Sequence, residues 1–440
     1  MTTTDALNNL TRTERSREAR RVVLSSYLGS TLEYYDFLLY GTAASLVFGP
    51  VFFSGLSPAA GTIASLGTFA AGYLARPFGG IIFGHFGDRV GRKSMLVLAM
   101  TVMGVASILI GLIPPASMIG SWGAILLITL RIVQGVAVGG EWGGAALMAL
   151  EHADPRRRGF MAAFTNAGAP TGAVLGTLAL TLFATLPEDD FLAWGWRIPF
   201  LMSAALLVIG LFVRSRVSES PIFAAAADQA KLAKTRAAAP IVEVLRAPKT
   251  VLIAAGACLA SFGIQTAFAT FGIAYAVHGG SSKPDVLLAY ALGQFCGIFL
   301  ILGYARLSDR IGRRPVMLAG LVGMIVLIYP LFGLMASGNL ALIALAFVLS
   351  MVCHGATYGP MAAYISEQFG TRSRYTGASL GYQLATLLGG GFTPVILASL
   401  FAGSGNSLMP VGLFVIALAL ISGTVLLFTR ETKDLDLTEV

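Results

Sequence analysis

The chain has 440 residues, of which 56% are hydrophobic and only 12% charged, with a mean hydropathy of +0.77. Soluble domains carry about 25% charged residues, which excludes one water-soluble core. The net charge of +8 would suit a nucleic-acid binder, but the basic residues cluster between apolar runs, so no nucleic-acid partner is expected.

A membrane-crossing helix needs about 20 mainly apolar residues. Twelve segments meet that length, near 22–53, 58–83, 94–113, 121–150, 160–186, 194–214, 250–277, 285–305, 315–336, 339–366, 376–402 and 408–429. They predict an all-α membrane protein. The N-terminal residues Arg12, Arg15, Arg17, Arg20 and Arg21 precede a long first segment without a small-residue cleavage site. That segment reads as a retained span rather than a signal peptide. The polar stretch 215–249 separates six spans from six. The predicted organisation is a cytoplasmic N-tail over 1–21, a six-helix bundle over 22–214, a cytoplasmic linker over 215–249, a second bundle over 250–429 and a C-tail over 430–440. With both termini cytoplasmic, the inner tails and loops hold 26 of the 30 Lys and Arg residues. The other four are Arg76, Arg131, Arg197 and Lys283, and only the last two read as lying near the outer face.

The first span carries STLEYYDFLLYG at 30–41. Glu33 and Asp36 sit there in an otherwise apolar and aromatic run, three residues apart on one helix face. An acid at the centre of a membrane helix costs roughly 2.5–3.5 kcal/mol on insertion scales, so each is a functional-site candidate. Tyr34 and Tyr35 are placed to wall a cavity. In the fourth span Arg131 reads as the one basic residue of matching depth, about 15 Å from the outer end at 1.5 Å per residue. A guanidinium stays charged and offers a planar fork to a carboxylate. Gln134 shares its face, whereas Glu141 lies about 15 Å further toward the cytoplasm. Further polar groups within spans are Tyr27, Asn166, Gln265, Gln294, His354, Tyr358 and Gln383.

Burial and a neighbouring guanidinium act on a carboxyl in opposite directions. An acid whose Arg partner comes and goes therefore gains and loses a proton. We expect Asp36 and Glu33 to carry proton coupling, with Asp36 taking a proton and thereby releasing Arg131 to a substrate carboxylate. Arg131, Gln134, Tyr35, Tyr34, Gln265 and His354 are the candidate substrate contacts. Cys258, Cys296 and Cys353 have no paired spacing and read as buried free thiols; no metal box, cofactor loop or nucleophile–base set is visible. The coupling ion would be the proton itself, with no other cofactor and no enzymatic activity.

The chain repeats itself. GHFGDRVGRK at 84–93 recurs as ARLSDRIGRR at 305–314, half a chain later. Glu151 and Arg158 follow the fourth span as Glu367 and Arg374 follow the tenth. Asp88, Arg92, Glu151, Arg158, Asp309, Arg313, Glu367 and Arg374 are read as a cytoplasmic gate. Parallel six-span halves related along the membrane normal mark a secondary-transporter fold.

The loop GHFGDRVGRK and its second copy resemble the major facilitator superfamily, with Ala305 standing where the first copy has Gly84. LEYYDFLLYG, RPFGGIIFGHFGDRVGRK, LRIVQGVAVGGEWGG, WGWRIPF and RYTGASLGYQLATLLGGGFTP resemble its metabolite:proton symporter family, which includes shikimate, α-ketoglutarate, citrate and proline/betaine permeases. The resemblance implies two pseudo-symmetric six-helix bundles and proton-driven import of a small organic acid or zwitterion across a bacterial inner membrane; a monomer in lipid is the expected functional form. Its sugar-porter branch pairs a first-span acid with a fourth-span Arg, which favours Asp36 over Glu33. Gly168-Ala-Pro170-Thr-Gly172 loosely resembles drug antiporters of the superfamily, so an antiporter or exporter of organic anions or drugs is the second reading.

Overall fold

The computed structural model describes residues 12–90, 92–139, 142, 146, 149–150, 155–215, 248–369 and 374–435. Glu141, Glu151 and linker residues 216–247 lie outside them, as do the side chains of Asp88, Arg92 and Arg374. Among the described residues twelve long helices follow one another: α1 (Arg12–Leu46), α2 (Pro58–Val90), α3 (Arg92–Leu112), α4 (Trp122–Val138), α5 (Arg158–Ala184), α6 (Arg197–Ser215), α7 (Pro248–His278), α8 (Lys283–Ile311), α9 (Arg313–Met335), α10 (Leu340–Glu367), α11 (Thr376–Gly403) and α12 (Met409–Phe428). Each predicted span overlaps one of them, and the described residues include no strand. From α5 onward the segments are long and apolar enough to cross a membrane by composition alone, whereas the apolar parts of α3 and α4 are shorter.

Small residues set the helix spacing where the polar side chains gather. On α4, Gly135 and Gly139 lie four apart, and a Cβ on them would strike the carbonyl oxygens of Gly72 and Arg76 on α2. A Cβ on Gly79 would strike the carbonyl of Val136 in return. Backbone therefore meets backbone, the close approach that a small-xxx-small spacing permits. This crossing sets Arg76 of α2 beside Arg131 of α4. Gly168 and Gly172 of α5 likewise press on the α1 backbone from Tyr27 to Tyr35. Their spacing is thus accounted for by α1–α5 packing.

The halves α1–α6 and α7–α12 meet along α2 with α11, where Gly390 and Gly391 fit against Tyr73, and along α5 with α8. π-helical turns interrupt α7 at Ala267–Gly272 and α11 at Thr386–Gly391. Such turns occur often at functional sites.

Candidate functional site

Asp36 projects from α1 into the interior of the N-terminal half and is 5% exposed. Ser203 of α6 donates to its Oδ1 at 2.5 Å, and the Ser107 side chain of α3 is a second hydrogen-bond partner. Leu32, Met100, Met103, Leu206 and Leu207 surround it. Arg131 Nη1 donates instead to Gln134 Oε1 at 3.1 Å, and Gln134 Nε2 donates to Ser107 Oγ at 2.7 Å. The direct Asp36–Arg131 contact expected from depth is therefore corrected: no ion pair joins the two, and Gln134 and Ser107 stand between them.

Arg131 lies in an aromatic box, its guanidinium carbon 4.1 Å from the ring centroids of Phe37 and Tyr40 and 5.0 Å from that of Phe69. Gly72 makes room for it: a Cβ there would come within 2.6 Å of Arg131 Nε. Arg76 is the residue that sequence reasoning missed. From the sequence it reads as less deep than Arg131, yet it is 2% exposed, with its guanidinium carbon 4.1 Å from the Phe37 centroid and 4.7 Å from that of Tyr73. Two guanidiniums thus contact one phenyl ring. Desolvated cation–π contacts are worth about 2 kcal/mol, enough to orient an arginine but not to replace a counter-ion. Among the described residues, Nε and Nη2 of both arginines have no acceptor. The sequence signal for Arg76 was that it sits in no basic loop cluster.

Glu33, 4% exposed, lies within electrostatic reach of Tyr34, Tyr73 and Tyr358, as Arg76 does of Tyr34 and Tyr73. The Tyr34 hydroxyl meets those of Tyr358 at 3.0 Å and Tyr382 at 2.5 Å, which joins α1 to α10 and α11 across the two halves. Trp142 stacks on Tyr382, and His354 stacks on Tyr358. His354 has one ring nitrogen, Nδ1, without a partner. Phe262 of α7 meets both tyrosine rings edge-on, and Gln265 lies three residues further along that helix. Tyr35 is a correction. Its hydroxyl donates to the Pro199 carbonyl at 2.8 Å and its ring lies against Gly176, so it belongs to the α1–α5–α6 packing rather than to a substrate wall.

Four of the predicted gate residues come together where α5 and α9 begin and α8 and α10 end. Asp309 of α8 accepts from the backbone amides of Gly159 and Phe160 at the start of α5, at 3.0 and 2.9 Å. Arg313 Nη1 reaches Asp309 at 2.6 Å and its Nη2 reaches Glu367 at 3.2 Å. Arg158 Nε meets the same Glu367 at 2.8 Å, across the halves. The chain after α12 closes over this cluster. Thr432 donates its hydroxyl to Glu367 at 2.5 Å, Glu431 accepts from the amides of Arg313 and Arg314, and Arg158 donates to the carbonyls of Thr432, Lys433 and Leu435. On the opposite side Lys283 meets Glu188 at 2.6 Å, again between the halves.

Two tightly joined helical halves with a polar, doubly cationic centre define a polytopic secondary transporter. Residues 22–247 match the Sugar (and other) transporter family and residues 253–439 the Major Facilitator Superfamily family. The chain is 40% identical to the shikimate transporter of Escherichia coli (strain K12) over 94% of this chain and 95% of that protein. It is 39% identical to the inner membrane metabolite transport protein YhjE of the same organism, over 94% of each chain. The proline/betaine transporter of that organism is 33% identical, over 89% of this chain and 79% of its own length. The crystal structure of a D-xylose-proton symporter shares the fold, with a TM-score of 0.73 at 18% identity over 94% of this chain and 98% of that one. The chain belongs to the major facilitator superfamily; it is a membrane transporter and not an enzyme.

Proposed function

We propose that the protein is a proton-coupled symporter that imports a small monocarboxylic acid by alternating access, with both termini on the cytoplasmic side of a bacterial inner membrane. The observation that carries this reading is the pair of buried guanidiniums, Arg76 and Arg131, with four donor atoms unused by protein acceptors. Arg131 and Arg76 are the proposed carboxylate clamp and Asp36 the proposed proton site. Charge balance supports one anion per proton. The buried centre holds Arg76 and Arg131 against Glu33 and Asp36, formally neutral when both acids are ionised. Burying uncompensated charge is costly, so a proton on Asp36 leaves one positive charge that one carboxylate neutralises. The relatives' names, a shikimate transporter among them, support a small organic acid as cargo.

The test is uptake into proteoliposomes with shikimate and a panel of small carboxylates. Accumulation should follow an imposed proton gradient directed into the vesicle and collapse with a protonophore. Accumulation only against an opposing gradient would establish exchange instead.

A further inference from the structure

We infer that Ser107 and Gln134 form a hydrogen-bonded relay through which proton binding at Asp36 governs whether Arg131 is free to hold an anion, with Gln134 as the positioning residue at its centre. The inference rests on the reading of Asp36 as the proton site.

The four side chains run in series across three helices, and none is more than 5% exposed. Arg131 donates to Gln134, Gln134 donates to Ser107, and the Ser107 hydroxyl partners Asp36. The direction of the series is fixed by chemistry. A guanidinium only donates, so the Gln134 face turned to it must be its oxygen, which leaves the amide hydrogens for Ser107. Ser107 Oγ accepts that hydrogen and has its own to give to the carboxylate. Every bond therefore points from the cation to the anion. Leu at 134 would interrupt the series and Glu would add a second carboxylate; an amide alone accepts at one end and donates at the other.

The charged and titratable groups around Asp36 are few. Among the described residues, Arg131 of α4 and Tyr35 of α1 lie within electrostatic reach, and buried Glu33 sits three residues earlier on the same face of α1. α3 and α6 present Ser107, Ser203 and apolar side chains, and α5 presents Gly172 and Gly176 to Tyr35. Arg76 and Tyr73 of α2 and Tyr40 of α1 act on Arg131 at the other end.

When Asp36 gains a proton, its new O–H donates, and the Ser107 hydroxyl hydrogen turns toward a carbonyl of its own preceding turn, as helical serines do. The bond that ended on a carboxylate becomes a neutral one, about half as strong. The series loses its anionic end, and Arg131 can give Nη1, together with Nε and Nη2, to an anion in the centre. By linkage the anion strengthens proton binding by the same factor.

The test follows the carboxylic C=O band of Asp36, assigned by its loss in Asp36→Asn, through an infrared pH series on the full-length protein. No substrate is needed. Arg131→Gln should raise the proton affinity of Asp36 by about tenfold or more, because a nearby cation favours the carboxylate. In a Gln134→Leu or Ser107→Ala background that effect should largely vanish, and Ser107→Thr, which keeps the hydroxyl, should restore it. An Arg131→Gln effect that persists to within about twofold when Gln134 is Leu is additive and overturns the relay, leaving Asp36 as a proton site coupled through space. A band that never titrates removes the proton-site reading itself.

Discussion

Arg158 of α5 and Glu367 of α10 meet at 2.8 Å, both buried, and so tie one half of the transporter to the other where α5 begins and α10 ends. Arg313 shares the same carboxylate. Removing one member of a buried pair leaves the others uncompensated, at a cost of about 3–5 kcal/mol. Glu367→Ala should therefore lower the thermal midpoint of the purified protein markedly. Lys283→Ala at the opposite end of the bundle removes a partly exposed pair worth about 1 kcal/mol or less and should change that midpoint little. Equal losses would refute the reading of the Arg158–Glu367–Arg313 cluster as the main tie between the halves.

Asp36→Asn removes the titrating group but keeps the shape and a hydrogen-bond acceptor for Ser203. The variant should lose accumulation driven by a proton gradient and keep counterflow, where substrate exchanges for substrate. Uphill uptake at the unmodified rate would exclude Asp36 as the coupling site.

Arg76→Ala and Arg131→Ala should each weaken binding of the transported acid by about 2–5 kcal/mol, the cost of truncating one partner of a buried charged contact. Calorimetry on the detergent-solubilised protein measures it directly. Loss confined to Arg131→Ala would make Arg76 a helix-packing residue only.

Gly72→Ala tests the α2–α4 crossing without touching a charge. Its Cβ would come within 2.6 Å of Arg131 Nε, so the guanidinium must move. Transport should fall steeply while the protein still reaches the membrane and elutes as a single folded species. Undiminished transport would mean that Arg131 is not held in the position described.

The twelve helices were legible because apolar length and the Lys/Arg clusters are properties of single segments. Asp36, Glu33 and Arg131 were legible as well, since a charge inside an apolar run stands out by itself. The bonds between them were not. Ser107 and Ser203 are small hydroxyls in apolar helices, with nothing local to separate them from serines that bond their own backbone. Arg76 was undervalued because its burial depends on the α2–α4 crossing, although the Gly135/Gly139 spacing that permits the crossing is present in the sequence. Tyr35 was misjudged for the converse reason: only the position of the Pro199 carbonyl distinguishes it from Tyr34.

Residues 429–435 follow the last helix and yet furnish hydrogen bonds to Arg158, Glu367 and the start of α9. Segment 429–435 is thus part of the cluster that ties the two halves together. A fusion partner that drags on this segment, or a protease that nicks it before Thr432, would act on the transport cycle without reaching the membrane core, and tagged and untagged preparations would then differ in turnover.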